Sequence, residues 1–261
     1  MHHPYSVIHP EAVIGQNVEI GPFVTIDKNV VIGDNTSIAS NATILSGARI
    51  GKNCKIHSGA VISGIPQDLK FNGEETLAII GDNTTIREFV TINRGTVSKG
   101  QTVVGSNCLI MAYCHAGHDC VIGNNVIMSN AVQLAGEVEI EPYAVLGGAA
   151  LVHQFCKVGP HAMIQGGSRI TKDVPPFSIV GREPAAFAGL NLVGLKRKGF
   201  DSAQIEEVQK IYKIIYQSGL NTTSALEKVE ELIPESEVRN KIVTFIRNSS
   251  RGIVPFVSNK K

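Results

Sequence analysis

Ile8-His9-Pro10-Glu11-Ala12-Val13-Ile14-Gly15-Gln16-Asn17-Val18-Glu19-Ile20 opens the pattern that decides the fold of this 261-residue chain. Isoleucine recurs at 8, 14, 20, 26, 32, 38, 44, 50, 56 and 62, each time six residues after the last. Continued in sixes to Ile170, 25 of 28 positions are apolar; the exceptions are Asp68, Glu74 and Ser98. Four residues after each beat stands a small or β-branched residue, as at Ala12, Val18, Val24, Val30, Thr36, Ala42, Ala48, Cys54 and Ala60. A helix needs a period of 3.6 and the strands of a β-sandwich alternate in twos, so neither accounts for an unbroken six. Short extended segments joined by turns, three to a coil, do account for it, and eighteen residues then make one circuit of a triangular parallel β-helix. The isoleucine points inward, the small residue fills the corner, and Gly, Asn or Asp supply the turn backbone. Each coil adds ~4.8 Å, so about eight coils give a prism of order 40 Å.

The bulk composition narrows the function. A net charge of +1 carries no polyelectrolyte signal for nucleic acid or an anionic membrane. At 43% hydrophobic residues the chain reads as soluble and globular, with no uncharged apolar run long enough for stable membrane insertion. Met1-His2-His3-Pro4 leads straight into the repeat without a secretory signal, so a cytoplasmic protein is expected. The five cysteines, at 54, 108, 114, 120 and 156, all fall in the small slot. They read as packing residues rather than as ligands or disulfide partners.

Two stretches break the beat. Residues 63–79 put charge where core residues belong, and residues 93–103 contain Arg94-Gly95-Thr96-Val97-Ser98-Lys99-Gly100. Both read as loops extruded from the prism, where function tends to sit. Asp173-Val174-Pro175-Pro176 then ends the strand pattern, because paired ladders do not continue through two prolines. The chain therefore divides into a mainly β domain, 1–185, and a small C-terminal α-helical domain, 186–261. In the second, Asp201 and Gln204 predict a capped helix to about Tyr216. Thr223–Leu232 predicts the next, stopped by Pro234, and Ser236 to about Asn248 a third, with Gly252 as terminator.

The densest polar cluster is Cys114-His115-Ala116-Gly117-His118-Asp119-Cys120. Counting in eighteens stacks Gly136 on His118 and Gln154 on Gly136, with Gly117, Ala135 and His153 in one flanking column and Asp119, Glu137 and Phe155 in the other. His118, Asp119, Glu137, His153 and Gln154 thus share a patch ~10 Å tall, and a glycine against a histidine leaves room for a substrate atom. A general base fits this arrangement. Solvated surface decoration fits it as well, and His115 with His118 could supply two ligands of a zinc site. His9, His57 and His161 read as turn or surface residues.

Repeats such as Ile14-Gly15-Gln16-Asn17-Val18-Glu19 resemble the hexapeptide motif of acyltransferases that fold as left-handed β-helices. The handedness is implied by that resemblance, since parallel crossovers are ordinarily right-handed. Gln67-Asp68-Leu69-Lys70, Ile86-Arg87-Glu88, Arg94-Gly95-Thr96, His118-Asp119-Cys120, Val152-His153-Gln154-Phe155, Asp173-Val174-Pro175-Pro176, Gly194-Leu195-Lys196-Arg197 and Ser250-Arg251-Gly252 follow in that order. Together they resemble the UDP-N-acetylglucosamine O-acyltransferase family, which begins lipid A biosynthesis in Gram-negative bacteria, over nearly the whole chain.

The resemblance implies a homotrimer with active sites between neighbouring prisms, no cofactor, and transfer of a 3-hydroxyacyl group from acyl carrier protein to the 3-hydroxyl of UDP-N-acetylglucosamine. It implies His118 as base, Asp119 as its orienting partner and the Gly136 N–H as oxyanion donor. Gln67, Asp68 and Lys70 would contact the sugar nucleotide from the first loop, with His115, His153 and Gln154 lining the cleft. Asn191, Arg197 and Lys198 would meet the nucleotide from the helical domain. The chain departs from the family at Glu137, a contact position where His is expected, at Val193, where a ribose-contacting Glu is expected, and at Lys198, which replaces an Arg. Gly166 aligns with the position that limits acyl length, and glycine there implies a long chain, roughly fourteen carbons or more. Two related enzymes remain as alternatives: the N-acyltransferase acting later in the pathway, which would carry an added N-terminal uridine-binding domain, and a zinc hydratase. A non-catalytic binding scaffold is the reading from another class.

Overall fold

In the computed structural model, which describes residues 2–257, the chain winds into a prism with three parallel faces. The first face, from Val7–Ile8 to Arg169–Ile170, has nine strands, and the second, from Val13–Ile14 to Lys157–Val158, has eight. The third runs from Glu19–Ile20 to Ser178–Gly181 and is finished by Ala186–Leu190, making ten. This is the left-handed parallel β-helix followed by short helices. Register confirms the eighteen-residue coil: Val7 pairs with Thr25, and His115 with Gln133, which pairs with Leu151. The beat isoleucines stack inside, Ile26, Ile44, Ile62, Ile80 and Ile92 being wholly buried, while the residue just before each beat faces out. One residue per corner sits in the left-handed backbone region, most often asparagine, as at Asn17, Asn29, Asn35, Asn41 and Asn53. Its short side chain tolerates that conformation.

The two breaks in the beat are real loops, shorter than the sequence suggests. They span 65–76 and 94–100, because the neighbouring strands Val61–Gly64, Leu77–Ile80, Thr91–Asn93 and Gln101–Val104 extend inward to meet them. Val61 pairs with Thr91, 30 residues on, and Ile80 with Val104, 24 residues on. The insertions therefore add twelve and six residues to an eighteen-residue coil, so the count in sixes runs through them unshifted. Asp68, Glu74 and Ser98, the three polar beat positions, are the loop residues.

The small slot has a second property. The hydroxyls of Thr36 and Thr84 donate to the carbonyls of Gly51 and Gly105, at 2.9 and 2.7 Å. The thiols of Cys54, Cys108, Cys114 and Cys120 make the same bond, to Gly81, Gly123, Ser129 and Ala135 at 3.0–3.2 Å. A cysteine here fills the corner and also satisfies a corner carbonyl.

Beyond Pro176 the architecture differs from the sequence reading in two ways. Residues 186–190 still belong to the sheet, pairing antiparallel with 178–181, and a short helix follows at once. The helices are α1 (Leu192–Arg197), α2 (Ser202–Gln217), α3 (Thr222–Leu232) and α4 (Glu237–Arg247). The Asp201–Gln204 capping box opens α2 as predicted, but Asn248, not Gly252, caps α4. Helix α2 docks on the end of the prism through Tyr212, whose buried hydroxyl donates to the Pro176 carbonyl at 2.6 Å. Phe187 stacks on the ring of Tyr212 and meets that of Tyr216 at a tilt. The C-terminal segment bridges Ile253 to Asp173 and Phe256 to Phe187. Among the described residues no helix is long and apolar enough to cross a membrane.

All five cysteines are free and buried. Burial pushes the thiols of Cys114 and Cys156 up to about 11 and that of Cys120 up to about 12, and raises Cys54 and Cys108 as well. Because the thiolate is the reactive form, a thiol reagent at pH 8 is expected to label none of the five in native protein and all five in denaturant. Stoichiometric labelling of the native chain would contradict the packing role.

Candidate active site

Each coil turns three corners, and the candidate site gathers at the one joining the first face to the second. His118 lies there, two residues past the buried Ala116. So do both loops, since each leaves a first-face strand and returns to a second-face strand. The stacking read from the sequence holds: a side chain on Gly136 would meet His118 Nε2 at 2.4 Å and Cε1 at 2.6 Å. Glycine is thus the residue that leaves this nitrogen accessible. At the next corner the equivalent N–H groups of Gln16, Lys52 and Ser106 are taken up by Asp34, Asp82 and Asn124. Among the described residues the Gly136 N–H donates to nothing.

Neither His118 nor Asp119 is surface decoration. The His118 side chain is 12% exposed, that of Asp119 is wholly buried, and His118 Nδ1 stands 2.8 Å from Asp119 Oδ2. A carboxylate only accepts, so Nδ1 carries the shared proton, and in the neutral imidazole the lone pair is then on Nε2. A buried carboxylate needs hydrogen bonds to stay charged, and the second loop supplies them. Oδ1 accepts from the backbone N–H groups of Thr96 and Lys99 at 2.9 and 3.2 Å, and Oδ2 accepts from the Thr96 hydroxyl at 2.6 Å. The Asp119 N–H in turn donates to Thr102 Oγ1 at 2.8 Å. Burial, the largest single influence, pushes the Asp119 carboxyl up, yet the bonds from Thr96, His118 and Lys99 outweigh it and hold it below its usual value. The sequence reading lacked these contacts. Arg94-Gly95-Thr96 was visible as a motif, but no periodicity reports a loop folding back onto a coil 23 residues further on.

The remaining predicted residues divide by corner. Glu137, His153 and Gln154 share the His118 corner, as do Gln67, Asp68 and Lys70 on the first loop. There Asp68 Oδ1 accepts from the Lys70 N–H at 3.0 Å and leaves the lysine side chain exposed. Arg94 stacks over Phe71 of this loop, 5.3 Å from ring centre. His115 sits beside the corner on the first face, with Nδ1 2.7 Å from the Thr91 hydroxyl; burial lowers its pKa, against a smaller opposing effect from Thr91. An open groove of about 370 Å³ runs over this face, lined by His115, Gln133, Leu151, His153, Arg169 and Thr171.

Asn191, Arg197 and Lys198 do not join this group within the chain. They sit at the corner joining the second and third faces, where Lys198 lies over Tyr143 at 4.8 Å. Asn191 is buried as the N-cap of α1: its amide oxygen accepts from Gly194 N–H at 3.1 Å and its nitrogen donates to the His161 carbonyl at 3.0 Å. Both ends of the amide are thus engaged inside the chain. Gly166 is exposed at the remaining corner, between the third and first faces. Among the described residues no group of three His, Cys, Asp or Glu side chains could hold a metal ion.

Known proteins resemble this chain over most of its length. A family model described as UDP N-acetylglucosamine O-acyltransferase, domain 2, matches residues 173–254, and one for the bacterial transferase hexapeptide matches 101–136. A further model, the GMPPB C-terminal domain, matches 2–106. The acyl-[acyl-carrier-protein]–UDP-N-acetylglucosamine O-acyltransferase of Burkholderia orbicola is 48% identical over 257 residues, covering 97% of this chain and 98% of that protein. The like-named protein of Aliarcobacter butzleri is 47% identical over 259 residues, 97% of each. Among solved structures, a UDP-N-acetylglucosamine acyltransferase from Bacteroides fragilis is 56% identical with a TM-score of 0.95, covering 97% of this chain and all of that one. One from Francisella novicida is 42% identical with a TM-score of 0.95, covering 98% and 94%.

The folded pKa of Asp119 lies below its unfolded value, so its stabilising contribution is present above the unfolded carboxyl pKa of about 3.9 and lost as pH falls through the folded one. Asp119→Asn is therefore expected to lower the melting temperature at pH 7 and to close the gap to the wild type below about pH 4. A gap independent of pH would show that the carboxylate charge contributes nothing.

Proposed function

This chain belongs to the UDP-N-acetylglucosamine O-acyltransferase family, and we propose that His118 is the general base with which it moves an acyl group from acyl carrier protein to UDP-N-acetylglucosamine. The carrying observation is the His118–Asp119 pair at 2.8 Å with Gly136 against the free Nε2. In the reaction the sugar 3-hydroxyl oxygen bonds to the thioester carbonyl carbon while its proton passes to Nε2. The C–S bond then breaks, and the same proton moves to the departing sulfur, so His118 ends neutral as it began. Asp119 stabilises the transient imidazolium. The Gly136 N–H, without another acceptor, supplies a donor for the oxyanion of the tetrahedral intermediate.

The nucleotide is read by residues from two subunits of a homotrimer. Gln67, Asp68, Lys70, His115, Glu137, His153 and Gln154 come from one prism, Arg197 and Lys198 from the next, with Asn191 shaping the helix that carries the two cations. Two observations support the assembly. These residues and Gly166 lie on three different corners of one prism, so a single chain cannot close them round one ligand. The third face also carries a half-exposed apolar stripe, Leu109, Ile127, Val145 and Met163, of the kind a partner covers. In this reading the β-helix carries the chemistry, and the part that follows its closing strand 186–190 carries the two cations. Acyl length is set at Gly166, where only hydrogen projects into the exposed corner.

His118→Ala is expected to lower kcat by about 100- to 10,000-fold in an assay with UDP-N-acetylglucosamine and 3-hydroxyacyl carrier protein. An equally active variant would remove the base assignment. In competition between ten- and sixteen-carbon donors the longer is expected to win, and Gly166→Met to reverse the preference; preference for the shorter donor by the wild type would refute the open-groove reading.

A further inference from the structure

Among the described residues the second loop, 94–100, hydrogen-bonds to no predicted substrate residue, yet it is densely bonded to the strands and coil around it. Gly95 N–H donates to the Leu77 carbonyl at 3.0 Å, and the Gly95 carbonyl accepts from the Thr76 hydroxyl at 2.6 Å. The loop closes on itself where Gly100 N–H donates to the Thr96 carbonyl at 2.7 Å, and Leu77 N–H donates to the Gly100 carbonyl at 3.0 Å. A Cβ at Gly95 would come within 2.2 Å of Gln101 N, so the loop is drawn tight against the strand that follows it. What this tight turn presents inward is Thr96, 5% exposed. Its hydroxyl accepts from Ser98 N–H at 3.2 Å, which orients its own hydrogen toward Asp119 Oδ2, 2.6 Å away. Two backbone N–H groups fix Oδ1 at the same time.

We propose that Thr96 is a positioning residue for the acyl transfer, and that the 94–100 loop is a preformed cradle fixing the Asp119 carboxylate so that Oδ2 faces His118 Nδ1. This rests on the reading of His118 as the base. The geometry requires it for a simple reason. Asp119 sits in the left-handed region, φ 60°, with its carboxylate turned away from solvent, so water cannot hold its oxygens in place. Without the cradle, rotation of the carboxyl would release Nδ1 and with it the ring orientation that aims Nε2 past Gly136. The surrounding charges leave this role to the hydrogen bonds. Lys99 extends its ammonium to Glu139 at 3.2 Å, where Lys157 also pairs at 3.0 Å, and the Cys120 thiol beside Asp119, pushed up to about 12, is neutral. Among the described residues, His118 is the one cationic-type side chain within ion-pairing distance of the carboxylate.

The test is a pH profile of Thr96→Val, which keeps the shape and removes the hydroxyl, beside Thr96→Ser, which keeps it. For Thr96→Val we expect kcat to fall by about 10- to 100-fold with the KM for UDP-N-acetylglucosamine unchanged. The acid limb of kcat/KM should move to higher pH, because Oδ2 loses a donor and becomes more basic toward the histidine. Thr96→Ser should restore both. An acid limb that stays in place in Thr96→Val, whatever happens to kcat, overturns the proposal, since a loop with a merely structural role alters the active fraction and not the titration. If Thr96→Val does not fold, judged by its thermal transition, Thr96→Cys carries the same comparison with a weaker donor. His118→Ala assayed alongside separates the two failures. Activity in that variant removes the base assignment and this proposal together, whereas inactivity with a wild-type profile for Thr96→Val removes this proposal alone.

Discussion

The backbone ladder between successive coils is what everything else in this molecule rests on. A coil of three two-residue strands has no hydrogen-bond partner within itself, so its strand N–H groups reach the carbonyls of the coil above: Val13 to Val30, Gly15 to Ile32, Glu19 to Thr36. Unpaired buried backbone groups are costly enough that this ladder cannot slip by one residue without also turning the beat isoleucines outward. The corners are held equally firmly, by one left-handed residue each and by a small side chain whose volume, and at several corners whose hydroxyl or thiol, the corner requires. Position along the prism is thereby fixed to a fraction of a residue, and a glycine can be set against a histidine eighteen positions away.

The site uses that rigidity electrostatically. A carboxylate with no exposed surface would ordinarily neutralise itself by taking up a proton. At Asp119 four donors converge on two oxygens, so the charged form persists where solvent does not reach, and the imidazole beside it is held in a single tautomer. Such preorganisation means that little has to move when charge develops on the ring. The coil insertion that provides two of those donors as backbone N–H groups also brings the hydroxyl, so scaffold and electrostatics are here the same few residues.

Much of this was legible in the sequence because it is periodic. The three faces, the buried isoleucines, the packing role of the cysteines and the stacking of Gly136 on His118 all follow from counting in sixes and eighteens. What escaped is aperiodic. The loops were drawn too long because strands lengthen where an insertion leaves them, and the strand 186–190 was missed because Ala186-Phe187-Ala188-Gly189-Leu190 carries no six-residue beat. Thr96 was seen as a letter in a motif but not as a partner of Asp119. Asn191, a nucleotide contact by resemblance, also closes the start of α1 with its amide, a capping role that the repeat does not mark. The spread of the proposed site residues over three corners follows from the same arithmetic, since positions 118, 143 and 166 fall at different phases of the coil.

The antiparallel strand 186–190 and the bridges from Ile253 and Phe256 bear on the fate of the molecule in a crowded cell. A solenoid of parallel strands ends in a row of open donors and acceptors with the very spacing that another coil, its own or a neighbour's, would need. Left bare, such an end is a template for stacking prism on prism into filaments. Here the chain reverses direction on the third face and lays its own C-terminal segment over the last coil, before the helices cover what remains. A strand running the wrong way cannot be extended by another hexapeptide turn. Growth of the ladder therefore stops at this reversal, and a prism built of repeats is kept from polymerising at this end.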